Sequence, residues 1–409
     1  MSQRQVAVIG GGAAGMMAAI FAARCGDAVT VFEKNAKIGR KLYITGKGRC
    51  NLTNNCDSKT VIENVPTNGR FLYSALHRFS PADTMRFFED NGLPLKTERG
   101  HRVFPVSDKA GDVVDTLLRV AKREGVRLVF RPAENLCLRD GAVVGIQTAT
   151  GALPFDKVIL ACGGCSYPLT GSTGDGYLFA QQAGHTIRPL KPSLVPLETV
   201  EAIPSDMVQL LLKNIALTVT DTSQGGKKVY EDFGELQFMR YGVAGAVVLS
   251  ASAHMKEPEA GHYRLILDLK PALTEEKLDA RLLREINARR KESVSSLMRS
   301  LLPSAMLMMF LRKADIPADK CCSELTRTER KRLIGLLKAF PLTVKGFRPI
   351  EEAIVTSGGV SVKEIDPKTM ASKLVSGLYF AGEVIDIDAY TGGFNLQCAF
   401  ATGVLAGEA

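Results

Sequence analysis

The spacing of apolar residues divides the chain into recognisable elements. Val6-Ala7-Val8-Ile9 is an unbroken apolar run that passes directly into Gly10-Gly11-Gly12-Ala13-Ala14-Gly15. A short continuous run bounded by a turn reads as a strand buried on both faces, as in a parallel sheet. Small residues continue at Ala18, Ala19, Ala22 and Ala23 and predict a helix packed close on that sheet. Ala28-Val29-Thr30-Val31-Phe32 is a second strand, ending in Glu33. Across residues 69–100, Phe71, Leu72, Leu76, Phe79, Met85, Phe87 and Phe88 recur at helical spacing and predict helix and core. Residues 101–105 read as a turn, 112–122 as an amphipathic helix and 126–130 as a strand. Residues 137–146 form a hairpin on Asp140-Gly141. The apolar strand at 157–161 ends in Ala161-Cys162-Gly163-Gly164, and a second glycine loop (171–176) precedes another helix.

The pattern then changes. Pro192, Pro196 and Pro204 mark a crossing, and strand-like pieces follow at 216–220 and 265–269. A basic helical stretch runs from 274 to about 338 and contains Arg281, Arg284, Arg289, Arg290, Lys291, Arg327, Arg330, Lys331 and Arg332. These cations fit either a solvated face or a nucleic-acid surface. Near the C-terminus, Gly377-Leu378-Tyr379-Phe380-Ala381-Gly382-Glu383 reads as a strand ending in Gly-acid. Asp386, a candidate cofactor-binding residue with Gly382 and Glu383, and Asp388 follow, and Gly392-Gly393-Phe394-Asn395-Leu396-Gln397 opens a last small-residue helix.

The spacing Gly10-x-Gly12-x-x-Gly15 carries chemistry. Gly10 permits a sharp turn, Gly12 permits a pyrophosphate to approach the backbone, and Gly15 permits helix and strand to pack closely. N–H groups at the helix start, including those of Ala13 and Ala14, then face phosphate. Glu33 stands about twenty residues on, where an acid accepts from the adenosine ribose and would repel a 2′-phosphate. The strand ending in Ala161, Gly163 and Gly164 brings bare backbone close to a ligand. Glu383 suits a ribityl hydroxyl. The helix start at Gly393, Asn395 and Leu396 suits the electron-rich edge of a reduced flavin. Fingerprint, Ala-x-Gly-Gly strand and Gly-acid strand occur in the order expected for FAD. Both ends of the chain therefore build one α/β domain (1–192 and 346–409) around an insertion (193–345).

The loop 39–54 is dense in glycine and cations. Together with Lys34, its Arg40, Lys41, Gly46, Arg49 and Asn51 are candidates to fold over the dinucleotide. Cys50 lies among these cations, which would lower its pKa and make it a reactive thiol or proton donor. It reads equally well as a packed cysteine.

The chain has 409 residues, too many for one typical core, and a formal charge of +9, which is compatible with an anionic partner such as RNA. Nine cysteines are scattered without a disulfide framework or zinc spacing; Cys162 with Cys165 reads as a redox pair or as buried small side chains. No apolar run is long enough to span a membrane, and nothing resembles a signal peptide, so a cytoplasmic protein is expected.

The chain resembles the BaiN/RdsA-type NAD(P)/FAD-dependent oxidoreductases, also called YhiN-like or aminoacetone-oxidase-like flavoproteins. The resemblance spans nearly the whole length. It rests on Gly10 to Gly15, on the run Thr45-Gly46-Lys47-Gly48-Arg49-Cys50-Asn51-Leu52-Thr53-Asn54, on Val355-Thr356-Ser357-Gly358-Gly359-Val360, on Thr369-Met370, and on Gly377 to Gln397. It implies a glutathione-reductase-type Rossmann-like FAD domain in two segments, with an inserted β-barrel-like part followed by a helical part at about 274–340. It also implies hydride transfer through flavin N5, with NAD(P)H as a transient donor, to an electron-poor double bond. The best-matching family activity is reduction of a uridine in 23S ribosomal RNA to dihydrouridine, with Cys50 as the candidate acid. Alternatives are a small-amine oxidase, a steroid-like enone reductase and a flavin-stabilised RNA-binding protein. One family segment departs: where Phe-Thr-His-Tyr-Gly-x-Ser-Gly-Pro is usual, this chain has Phe238-Met239-Arg240-Tyr241-Gly242-Val243-Ala244-Gly245-Ala246. An imidazole and two hydroxyls are lost, and Arg240 suits an anionic ligand better.

Overall fold

The N-terminal apolar run forms the middle of a five-stranded parallel sheet. Gln5–Ile9 pairs with Ala28–Phe32 on one side and Lys157–Leu160 on the other, and Arg127–Val129 and Leu378–Phe380 form the edges. A central parallel strand is covered on both faces, and Val6, Ala7 and Val8 are fully buried. The computed structural model describes residues 3–256 and 258–409. Its contacts divide the chain into two units, Met1–Ser193 with Ile350–Ala409, and Leu194–Pro349. The sheet belongs to the first.

The helix Ala13–Arg24 leaves the glycine turn and packs on the C-terminal helix Phe394–Glu408. Small residues let the two backbones touch. A Cβ on Gly403 would stand 2.4 Å from Ala14 O, and one on Gly407 would stand 2.5 Å from Ala18 O. Residue 403 beside 14 and 407 beside 18 means that the helices run parallel. Lys157, 1% exposed, donates from Nζ to Gly407 O at 3.1 Å and Ala409 O at 3.2 Å. It thereby satisfies carbonyls that a helix end leaves without partners. Burial pushes its pKa down to about 8.

Local chemistry overrides the apolar period in three places. The expected helix over 69–100 is broken into Tyr73–Arg78 and Pro81–Asp90. Ser80 and Asp83 form a capping box with Pro81 at the first helical position, which starts a new helix there. Gly92, at φ +79°, ends it, and Leu95–Thr97 becomes a strand. The expected turn at 101–105 is instead the strand Arg102–Pro105, antiparallel to Leu95–Thr97 and to Thr53–Asn54. The loop expected at 39–54 contains the short helix Arg40–Ile44, a 3-10 turn at Thr45–Gly48 and that two-residue strand. The Asp140-Gly141 hairpin forms as read, joining Asn135–Arg139 to Ala142–Thr148 with both turn residues at positive φ.

The second unit is a closed antiparallel barrel carrying helices. Around the barrel the strands are Leu197–Thr199, Gly242–Ala244, Lys227–Met239, Leu211–Asp221, Tyr263–Asp268 and Phe340–Phe347. Alternate residues such as Leu217, Val219, Leu265, Leu267, Leu342 and Val344 fill it. Between the last two strands the chain runs through the helices Glu275–Ala288, Val294–Met298, Leu307–Ala314 and Arg327–Lys338. Among the described residues no helix is long and apolar enough to cross a membrane.

Candidate functional site

The glycine turn is shaped by contacts that leave no room for side chains. A Cβ on Gly10 (φ +108°) would meet Ala161 O at 2.5 Å, and one on Gly15 would meet Gly10 O at 1.9 Å. At Gly12 the outcome differs: an added Cβ would meet nothing within 4 Å. That glycine therefore borders open space, as a phosphate-binding turn requires. Gly12 caps Ala13–Arg24 without a side-chain cap, and no acid lies in the first turn. The first N–H groups of the helix are thus free for an anion.

Glu33 is buried at the end of its strand. Its carboxylate accepts from Gly11 N–H at 2.9 Å, Asn35 N–H at 2.8 Å and Asn35 Nδ2 at 2.7 Å. A carboxylate has about four acceptor positions, so one is left for a hydroxyl. Asn35 also accepts from Arg40 Nη1 at 2.9 Å.

Glu383 draws four segments together. Its Oε2 pairs with Lys41 Nζ at 2.9 Å, and its Oε1 accepts from Thr356 N–H at 2.8 Å and Ser166 Oγ at 3.1 Å. Lys41 also reaches Ser166 Oγ at 2.8 Å. Thr356 Oγ1 in turn accepts from Cys165 N–H at 2.8 Å. Gly164 is packed against this cluster, since a Cβ there would stand 2.4 Å from Thr356 Oγ1. No spacing in the sequence marks Thr356 or Ser166 individually as a site residue; only their shared partner does. Gly382 (φ +76°) lies against Ala14, where a Cβ would meet Ala14 Cβ at 2.7 Å. The Gly-acid strand end is therefore beside the glycine turn.

The C-terminal helix, like the first, begins at a glycine. Gly393 (φ +99°) is its cap, with no side-chain cap bond and no acid in the first turn. A Cβ on Gly393 would meet Thr53 O at 2.3 Å, so the 50s segment packs on this helix start. Asn395 Oδ1 accepts from Ala389 N–H at 2.9 Å, which fixes the loop before the helix. Leu396 packs partly buried against the core. Asp386, in that loop, accepts from Asn68 Nδ2 at 2.9 Å. Burial, with help from nearby Asp388, pushes its carboxyl pKa up against the pull of Asn68 and Arg188.

The parallel packing of the two helices fixes how their starts relate. Ala14 lies beside Gly403, one residue into the first helix and nine into the second. At 1.5 Å per residue the second start lies roughly 12 Å farther along. Two bare helix starts so offset suit a ligand with phosphate at one end of a short linker and an electron-accepting ring at the other.

One further atom bears on FAD. Asn51 Oδ1 is buried and has no hydrogen-bond partner among the described residues. Orphaned buried acceptors are rare unless something else satisfies them. Gly46 packs against this residue, since its Cβ would stand 3.0 Å from Asn51 N. The residues present fit FAD.

Other candidates are engaged elsewhere. Lys34 Nζ is held by Asp175 Oδ2 at 2.6 Å and by Thr173. Arg49 is bound between Glu98 and Asp108 and stacks on Phe104 at 4.2 Å. Their charge is neutralised by carboxylates rather than held free for phosphate. Cys50 reverses the expected direction: its thiol is fully buried, and desolvation pushes the pKa up to about 12, beyond the lowering from Thr45. Arg49, the nearest cation in sequence, points to its own carboxylates. The arrangement is that of the packed cysteine that the sequence equally allows. Cys162 is likewise pushed up to about 12 by burial and points to Ile9 O at 3.4 Å, and both it and Cys165 are free. In the other unit, Arg240 is exposed in the turn between two barrel strands, and Tyr241 lies under Arg348 at 4.5 Å. Among the described residues no cluster of three or more metal-ligating side chains occurs.

A family model described as HI0933-like protein Rossmann domain matches residues 4–409. The 3-dehydro-bile acid delta(4,6)-reductase of Clostridium scindens is 33% identical over 99% of this chain and 98% of its own. The ribosomal RNA dihydrouridine synthase of Haemophilus influenzae is 30% identical over 97% and 95%. A 3-ketosteroid delta1-dehydrogenase from Sterolibacterium denitrificans superposes with a TM-score of 0.51 at 14% identity, covering 99% of each chain, which shows a common fold.

Proposed function

The chain belongs to the HI0933-like Rossmann family of FAD-dependent oxidoreductases, and on that premise we propose a reductase that takes electrons from NAD(P)H and saturates an electron-poor double bond. The substrate we assign is a uridine of 23S ribosomal RNA, giving dihydrouridine. The offset pair of uncapped helix starts carries the flavin part of this reading. The relative from Haemophilus influenzae and the excess of cations support the RNA part.

Gly12, Ala13, Ala14 and Gly15 would hold the pyrophosphate through backbone N–H groups, and Glu33 the adenosine ribose. Asn51, Gly163, Gly164 and Glu383 would line the linker, and Gly393, Asn395 and Leu396 the ring. Bound FAD supplies two-electron chemistry that side chains lack. The N–H groups at the Phe394 helix start favour negative charge beside them. Lys41 holds the Glu383 carboxylate in one orientation. With the Cys50 thiol buried, Asp386, which follows the Glu383 strand end and accepts from Asn68 Nδ2 at 2.9 Å, is our candidate to hold the proton delivered to the substrate carbon, and burial pushes its carboxyl pKa up.

Mass spectrometry of 23S ribosomal RNA from a strain lacking the gene tests the substrate. Loss of one dihydrouridine, restored by the purified enzyme with NAD(P)H, is expected. Unchanged dihydrouridine removes RNA as the substrate and favours a conjugated enone, the second reading supported by the Clostridium scindens relative.

A further inference from the structure

Exposed cations gather at one end of an antiparallel helix pair in the Leu194–Pro349 unit. Arg330 Nε bonds Asp279 Oδ1 at 2.7 Å, and Lys338 Nζ donates to Leu273 O at 2.8 Å. These contacts run Arg327–Lys338 against Glu275–Ala288 in the opposite direction. At the other end Ser323 N–H donates to Arg290 O at 3.1 Å, which seats the turn after the first helix against the start of the second. Arg284, Arg290, Lys291, Arg327 and Lys331 are exposed around this end.

These five differ from their neighbours. Arg281 and Arg289 pair with Glu285, Arg330 with Asp279, and Arg332 with Asp315. None of the five has a carboxylate partner among the described residues, and Glu324 is an exposed acid in the same region. Helix stability does not explain Arg327, which stands in the first turn, where the dipole disfavours a cation. Neither helix carries an aromatic residue, so base stacking has no platform there. What remains is multivalent positive charge on a rigid support.

We propose that this end of the helix pair docks the phosphate backbone of the RNA, holding it by charge without reading its sequence. The inference rests on the RNA reading above and adds the place where the backbone is held.

The test uses full-length, FAD-loaded protein and a hairpin RNA as probe. Affinity is measured over a salt series for wild type, for Arg290→Gln/Arg327→Gln/Lys331→Gln, and for a control, Arg139→Gln/Lys363→Gln/Lys368→Gln, which removes equally exposed charge from the other unit. Affinity should fall about tenfold or more in the first variant. The slope of log affinity against log salt should shallow by about 3, one for each phosphate no longer neutralised. The control should follow wild type, and flavin reduction by NAD(P)H should be equal in all three. Equal losses in both variants, or an unchanged slope in the first, would overturn the docking face while leaving RNA as substrate. Wild type that binds no RNA would bring down the substrate reading as well. Binding to anionic vesicles that disappears in the first variant, with RNA affinity intact, would reassign the face to a lipid surface.

Discussion

Lys41 and Glu383 lie 342 positions apart in sequence yet meet at 2.9 Å, so their pairing measures how tightly the two chain segments are joined. Lys41→Met and Glu383→Gln, singly and together, form a cycle that isolates the charge interaction. The amide introduced by Glu383→Gln keeps an acceptor for Thr356 N–H and Ser166 Oγ, so neither is left unsatisfied. The side chains are 24% and 18% exposed, between a surface pair and a buried one. At an effective dielectric of about 20, opposite charges at this separation attract by roughly 6 kcal/mol. Desolvation of both groups and the ordering of the lysine offset most of that, leaving a coupling of about 1–3 kcal/mol. Urea unfolding of the four proteins at one fixed FAD concentration gives the coupling, since bound ligand shifts apparent stability. The rate at which FAD is lost on dilution gives a second readout, and each single variant should release it faster. A coupling below about 0.5 kcal/mol with unchanged FAD release would refute the view that this pair ties the segments together around the cofactor.

Other perturbations follow from the same geometry. Gly403→Val places atoms against Ala14 O and should destabilise by about 1–3 kcal/mol through overpacking, read as a lower thermal midpoint with weaker FAD retention; an unchanged midpoint would mean that the helices are not in contact. Cys50→Ala should retain turnover within about threefold, because general acids typically contribute about 10²-fold or more and this thiol is buried; a hundredfold loss would reinstate it. Asp386→Asn should slow double-bond reduction by about 10²-fold while flavin reduction by NAD(P)H proceeds at the wild-type rate, and equal slowing of both would assign it to cofactor binding instead. Lys157 has its folded-state pKa depressed from 10.5 to about 8, so the unfolded chain binds more protons between those values and its contribution to stability rises with pH. Relative to Lys157→Met, wild type should gain about 1 kcal/mol between about pH 7 and 9, measured by urea midpoints; a loss over that interval would reverse the assignment.

The sequence displays what depends on local spacing and hides what depends on pairing. Parallel strands buried on both faces are largely apolar, so Val6 to Ile9 and Val158 to Leu160 stand out, and the glycines between strand and helix mark where backbone must come close. The break at Ser80-Pro81 is written locally too, in a capping box that outweighs a run of phenylalanines at helical spacing. Side-chain commitment is different in kind. Arg49 and Lys41 both lie in one cationic segment, yet Arg49 closes on Glu98 and Asp108 while Lys41 reaches Glu383. Composition gives them the same electrostatic role, but an arginine between two carboxylates offers little to a phosphate, while a lysine on one shared carboxylate orients it. The same pairing decides Cys50. Positive charge stabilises a thiolate when it is near and uncompensated; with Arg49 neutralised, burial outweighs the lowering from Thr45 and sets the direction. Long-range partners therefore separate the groups that bind from those that only support, and they arise from contacts whose sequence separation no periodicity records.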